Sequence, residues 1–254
     1  MSQKIILITG ATSGFGEAIA RLFAQHGWKL ILTGRRQHRL DVIQTELGKE
    51  NVHTCCFDIR NNLAIEQAIN TLPAAFKDID VLVNNAGLAL GMETADKTAL
   101  DDWEQMVDTN IKGLMYCTRR VLPDMKMRGR GYIINLGSVA GSWPYPGGNV
   151  YCASKAFVKQ FSLALRADLL GSNIRVSNIE PGAAETEFST VRFKNDHALA
   201  RTVYQNTTAL SAQDIADTVF WLVNTPEHMN VTTMEIMPTQ QATGPLVMYR
   251  SQDE

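Results

Sequence analysis

Tyr151 and Lys155 stand four residues apart, with Ser138 thirteen residues upstream of the tyrosine. Side chains four apart on a helix share a face, so an ammonium here lies within reach of a phenol. A phenol releases its proton near pH 10 when unperturbed, and a neighbouring cation eases that release. Such a group can deliver a proton to an alkoxide as it forms. Ser138, in Gly137-Ser-Val-Ala140, adds a hydroxyl that can hold the same oxygen. The trio suits reduction of a carbonyl, provided a hydride donor lies beside it. A surface helix with an incidental Tyr and Lys would show the same pair, so the rest of the chain must separate the two readings.

The N-terminal segment does so. Thr9-Gly-Ala-Thr-Ser-Gly-Phe-Gly16 follows an apolar run and precedes an amphipathic one. Gly10, Gly14 and Gly16, with Ser13 and Phe15 between them, let backbone approach a pyrophosphate at a helix N-terminus. The spacing is Gly-x-x-x-Gly-x-Gly rather than the commoner Gly-x-Gly-x-x-Gly. The second apolar run ends Thr33-Gly-Arg-Arg36, where a site for NAD would carry an acidic residue for the ribose. Arg35 and Arg36 instead suit a 2′-phosphate, so the cofactor expected is NADP(H). The competing view, solvated charges opening a helix, is weakened because cations are mildly unfavourable there. Asp58 and Ile59 follow the third run and are expected against adenine; Asn85, Ala86 and Gly87 follow the fourth, where α/β sheets bind ligands.

These residues need a scaffold. Short, nearly continuous apolar runs at 4–9, 29–33, 52–57, 80–83, 132–136 and 175–179 read as strands buried on both faces. Helical periodicity falls between them at 17–26, 39–47, 63–72, 102–128 and 150–170, then at 214–223 before a last strand at 233–237. The alternation predicts a single α/β domain over 1–254: a doubly wound Rossmann fold whose mostly parallel, seven-stranded sheet carries helices on both faces. Residues 182–206 are charged and irregular, and are expected to cover the site as a mobile loop or as short helices. The tail, 239–254, contains Leu246-Val-Met-Tyr249 and is expected to pack on the body or on a neighbouring subunit.

Bulk composition narrows the alternatives. The 254 residues carry a formal charge of −2, 45% hydrophobic and 20% charged side chains, so no basic field argues for nucleic acid. Cys55, Cys56, Cys117 and Cys152 show no metal-ligand spacing, and reduced thiols with no metal are expected. No leader or membrane-spanning run is read, so the expected setting is cytoplasmic with no membrane partner.

With those motifs in place, the chain resembles the short-chain dehydrogenase/reductase family over nearly its whole length. Thr-Gly-x-x-x-Gly-x-Gly at 9–16, Asn-Asn-Ala-Gly at 84–87 and Tyr-x-x-x-Lys at 151–155 carry the resemblance, together with Ser138 and Asn110. It implies that Asn110 kinks its helix and holds a water on a proton relay to Lys155. It also implies that Pro181, Gly182 and Thr186 meet the nicotinamide carboxamide, and that the protein is a homotetramer with paired long helices. Met106, Leu114, Phe157, Phe161 and Leu165 could serve that contact or fill the core.

Within the family the chain is similar to bacterial NADP-dependent serine/3-hydroxy acid dehydrogenases and to sulfoacetaldehyde reductases that form isethionate. That similarity rests on 33–36, 84–92, 141–145, 147–151 and 191–193. Both groups imply a small anionic carbonyl or alcohol substrate. Arg192 could clamp its acid oxygens, with Tyr145 and Asn149 adding hydrogen bonds; a solvated loop arginine is the competing view. Arg250 is a weaker candidate, expected to serve a neighbouring subunit. The segment 183–186 is one residue shorter than in serine-type members and the tail differs, which ranks sulfoacetaldehyde above malonic semialdehyde or serine. Two alternatives remain: an NADP-binding sensor, opposed by the intact Tyr151 and Lys155, and a reductase of a bulky apolar ketone or carrier-bound acyl chain, opposed by the charged 182–206 segment with few large apolar groups.

Overall fold

The computed structural model describes residues 3–244 and 248–250. Seven parallel strands form one sheet in the order β3-β2-β1-β4-β5-β6-β7. They are β1 (Ile5–Ile8), β2 (Lys29–Gly34), β3 (Val52–Cys56), β4 (Val81–Asn84), β5 (Gly131–Leu136), β6 (Ile174–Pro181) and β7 (Thr233–Ile236). The helices are α1 (Gly14–Gln25), α2 (Gln37–Leu47), α3 (Asn62–Asn70), α4 (Leu100–Val107), α5 (Leu114–Arg128), α6 (Asn149–Asp168), α7 (Glu187–Arg192), α8 (His197–Thr202) and α9 (Ala212–Val223).

The continuous apolar strands have the expected cause. Successive side chains on a strand point to opposite faces. Ile6, Ile8, Leu30 and Leu32 therefore enter one core layer, under α1 and α9, while Ile5, Leu7 and Ile31 enter the other, with Val121 and Met125 of α5 and Leu165 of α6. Cys55 and Cys56 split the same way, one buried and one exposed. Burial pushes the Cys55 thiol up to about 11 and Cys117 up to about 12, so both are inert at neutral pH. Met106, Leu114 and Leu165 belong to the core, whereas Phe157 and Phe161 are half-buried and stacked.

One departure from the sequence expectation matters for the site. The single helix expected at 102–128 is α4 and α5 joined by a π-helical turn, Asp108–Gly113. Such a turn, with its i→i+5 bonds, is a break in the α-helical ladder at which helices kink. Residues 182–206 carry the short helices α7 and α8, one of the two forms expected there. Among the described residues no helix is long and apolar enough to cross a membrane, and no group of His, Cys, Asp or Glu could hold a metal ion.

Strand order reverses direction beside β1, whose neighbours are β2 and β4. Ligands of open α/β sheets sit at the carboxyl ends of strands at such a switch. The carboxyl ends of β1 and β4 are where the glycine turn and 84–87 lie.

Candidate active site

A cleft of about 420 Å³ opens at that switch point. The turn after β1 forms its floor, with Gly10 and Gly14 at φ of +67° and +53°, a region costly to side chains. Gly16 lies against the Gly10 carbonyl, too close for a Cβ. Asn85 staples this turn, its amide donating to the carbonyls of Thr9 (2.8 Å) and Gly10 (3.1 Å). Thr9 Oγ1 accepts in return from the backbone N–H of Asn85 and Ala86, both at 3.0 Å. Ser13 is the N-cap of α1 yet makes no side-chain cap, and Ser13, Gly14 and Phe15 at the start of that helix line the cleft. That is a built anion site.

The guanidiniums behave differently from one another. Arg36 is fixed against the turn, donating through Nη2 to Ser13 Oγ (2.8 Å) and the Thr12 carbonyl (3.1 Å), and through Nε to Thr12 Oγ1 (3.2 Å). Arg35 is largely exposed and 3.9 Å from Asp58. A third arginine that sequence reasoning missed, Arg39, donates to the Thr12 carbonyl at 3.1 Å. Asp58 and Ile59 line the far wall; Arg60 holds the Asp58 carboxyl below its usual range.

At the other end stand Ser138, Tyr151 and Lys155, all lining the cleft. Ser138 Oγ caps the 3-10 turn Val139–Gly141 by accepting from Ala140 N (3.1 Å), and lies 3.5 Å from the Pro181 carbonyl. Burial drives the Tyr151 phenol well above its ordinary value, aided by neighbouring Tyr145. A hydrogen bond from Ser138 and the charge of Arg192 oppose that rise. The expectation that Lys155 loosens this proton is not met: its ammonium is 6.0 Å from the ring centroid and donates to the Leu136 carbonyl at 2.7 Å. At neutral pH the phenol therefore keeps its proton and is poised as an acid.

Burial also lowers Lys155 from 10.5 to about 8. An unfolded lysine keeps the ordinary value, so holding the ammonium in the fold costs stability in full below pH 8. The cost shrinks between 8 and 10.5 and is absent above. The gap corresponds to at most about 3 kcal/mol. Lys155→Met is thus expected to raise the melting temperature at pH 7 by several degrees, with the gain fading toward pH 10. A lower melting temperature at pH 7 would contradict this origin.

Asn110 lies within the π-helical turn and pins the strand-end loop: Oδ1 accepts from Leu88 N and Nδ2 donates to Leu88 O, both at 2.8 Å. Its amide also donates to Ser154 Oγ at 3.0 Å. A Cβ on Gly87 would meet Asn110 Oδ1 at 3.3 Å and Lys155 Nζ at 3.6 Å, so the three groups share one corner.

The covering helices bring Arg192 to the cleft. Its guanidinium lies 5.3 Å from the Tyr145 ring and 5.6 Å from the Tyr151 ring. Nε donates to the Gly91 carbonyl (3.1 Å), while Nη2 is buried with no hydrogen-bond partner among the described residues. A buried guanidinium nitrogen with no partner, beside a proton donor, has the chemistry to bind an acid oxygen. Phe188 and Tyr204, which the sequence did not mark, close the wall around it. Thr186 caps α7 through Phe188 N (3.2 Å) and faces Gly14. Pro181 and Gly182 end β6 at the same wall.

One expectation fails. Asn149 lies outside the cleft: Oδ1 accepts from Trp103 Nε1 (3.0 Å) and Nδ2 donates to the Glu93 carbonyl (3.2 Å), clasping the 93–103 segment. Arg250 donates to the carbonyls of Val203 (3.3 Å) and Gln205 beyond α8. Of the apolar tail motif, Leu246 and Val247 lie outside the described residues; Met248 bridges back to Gln241 and Tyr249 is exposed.

The family model for short chain dehydrogenase matches residues 4–197. The chain belongs to the short-chain dehydrogenase family. It is 58% identical over 248 residues to NADP-dependent 3-hydroxy acid dehydrogenase YdfG of Salmonella typhimurium, covering 97% of this chain and 100% of that protein. It is 52% identical over 242 residues to sulfoacetaldehyde reductase 2 of Chromohalobacter salexigens, covering 94% and 96%. A solved structure described as the closed form of serine dehydrogenase complexed with NADP+ superposes with a TM-score of 0.93 at 55% identity, covering 97% and 100%. Membership in the family makes this dehydrogenase an oxidoreductase.

Proposed function

We propose that this short-chain dehydrogenase is an NADP-dependent 3-hydroxy acid dehydrogenase, interconverting a small 3-oxo acid such as malonic semialdehyde with its alcohol. The observation that carries the substrate class is the unpartnered, buried Nη2 of Arg192 beside the Tyr151 ring. The similarity to the 3-hydroxy acid and serine dehydrogenases supports the carboxylate over the sulfonate. This reverses the order that the sequence motifs suggested, since the sulfoacetaldehyde reductase is the more distant relative at 52%. A sulfonate offers the same guanidinium two oxygens, so sulfoacetaldehyde stands as the second reading.

NADP(H) is the cofactor: the glycine turn takes its pyrophosphate, and Arg36, fixed on Thr12 and Ser13, takes its 2′-phosphate. When bound, it supplies the hydride. The chain's own residues do the rest. Arg192 holds the acid end, Ser138 holds the carbonyl oxygen, and Tyr151 delivers the proton as that oxygen gains charge. One cation, Arg192 at 5.6 Å from the ring centroid, eases the charge left on the phenol, while Lys155 is held on the Leu136 carbonyl. Asn110 positions the Leu88 backbone behind Lys155.

Steady-state rates with NADPH on malonic semialdehyde and sulfoacetaldehyde test the proposal. The expected result is a kcat/KM at least tenfold higher for the carboxylate; a preference of that size for the sulfonate overturns it.

A further inference from the structure

The first residue of α7 crosses the cleft to the arginines that the cofactor's 2′-phosphate needs. Glu187 Oε2 accepts from Arg36 Nη1 at 3.0 Å, and Oε1 accepts from Arg39 Nη1 at 2.6 Å. Burial would raise this carboxyl, but the bonds from Arg39 and Arg36 outweigh it and hold the group below its usual range. No other carboxylate pairs with either guanidinium among the described residues. The Nε and Nη2 of Arg36 are committed to Thr12 and Ser13, which leaves the Nη1 edge as the one that can turn to an incoming anion. That edge already holds a carboxylate. Each of the three side chains keeps more than a third of its surface exposed, so a phosphate can reach the cluster from solvent.

We propose that Glu187 is an internal anion that competes with the 2′-phosphate of NADP(H) for Arg36 and Arg39. A phosphate monoester carries between one and two negative charges at neutral pH, against one on the carboxylate. Both cannot share the Nη1 edge without like-charge repulsion, so the phosphate displaces Glu187. NAD(H), lacking that phosphate, leaves the pair intact. Glu187 therefore narrows the margin by which the site prefers NADP(H), and ties cofactor identity to the helix that also carries Arg192. The inference rests on the NADP(H) reading above, and names a specificity residue that reading does not contain.

Fluorescence titration of wild type, Glu187→Gln and Glu187→Asp with NADPH, NADH, 2′,5′-ADP and 5′-AMP separates the outcomes. Glu187→Gln keeps the shape and removes the charge. It is expected to lower the Kd for NADPH and 2′,5′-ADP about three- to tenfold at low salt, leaving NADH and 5′-AMP within about twofold. Glu187→Asp keeps the charge and is expected to stay near wild type. Weaker binding of NADPH and NADH alike by the Gln variant would make Glu187 a plain anchor for α7 and overturn the inference, as would no change for 2′,5′-ADP. A wild type that does not favour NADPH over NADH would instead sink the parent reading.

Discussion

Replacing Tyr151 by Phe is expected to lower kcat/KM for carbonyl reduction about a thousandfold while leaving the Kd for NADPH within about twofold. The ring would survive the change: it is buried, 5.6 Å from the Phe188 ring, and phenylalanine keeps that packing. Only the transferable proton goes, and a positioned general acid contributes between about a hundredfold and ten-thousandfold. The split between turnover and cofactor affinity separates an enzyme from a cofactor-binding sensor, which would be indifferent to the hydroxyl. Retention of a tenth or more of wild-type activity would mean that another group, or water, supplies the proton.

The second large effect is expected at Arg192. Arg192→Ala should cost about a hundredfold in kcat/KM for a 3-oxo acid, with Arg192→Lys intermediate because a point charge replaces a two-pronged fork. An uncharged aldehyde of the same length is the control, with an expected change below threefold. The control matters because Arg192 has three other contacts, the Gly91 carbonyl and the rings of Tyr145 and Tyr151. Equal losses on charged and uncharged substrates would show that it acts through the covering helix or the phenol, not on the acid.

How far the sequence carried these conclusions depended on the range of the interaction. The four-residue spacing of Tyr151 and Lys155 is a property of one helix, and α6 places both on the cleft. The glycine turn, the apolar strands and the doubled arginines are equally local. Asn149 was misplaced although a local rule was available: two residues from Tyr151 along a helix is a rotation of about 200°, which aims its amide at Trp103 instead of the cleft. The pairs joining Glu187 to Arg36 and Arg39 span 151 and 148 residues, and no pattern within one element announces them. Lys155 shows a further limit. Its helical face was legible, but the carbonyl that captures its ammonium belongs to β5, nineteen residues earlier.

A ternary crystal structure with NADP+ and 3-hydroxypropionate bears most directly on the account. The expected arrangement has the alcohol oxygen within hydrogen-bond reach of both Tyr151 Oη and Ser138 Oγ, with the carboxylate on the Arg192 guanidinium. A carboxylate bound away from Arg192, or an alcohol out of reach of Tyr151, would contradict it.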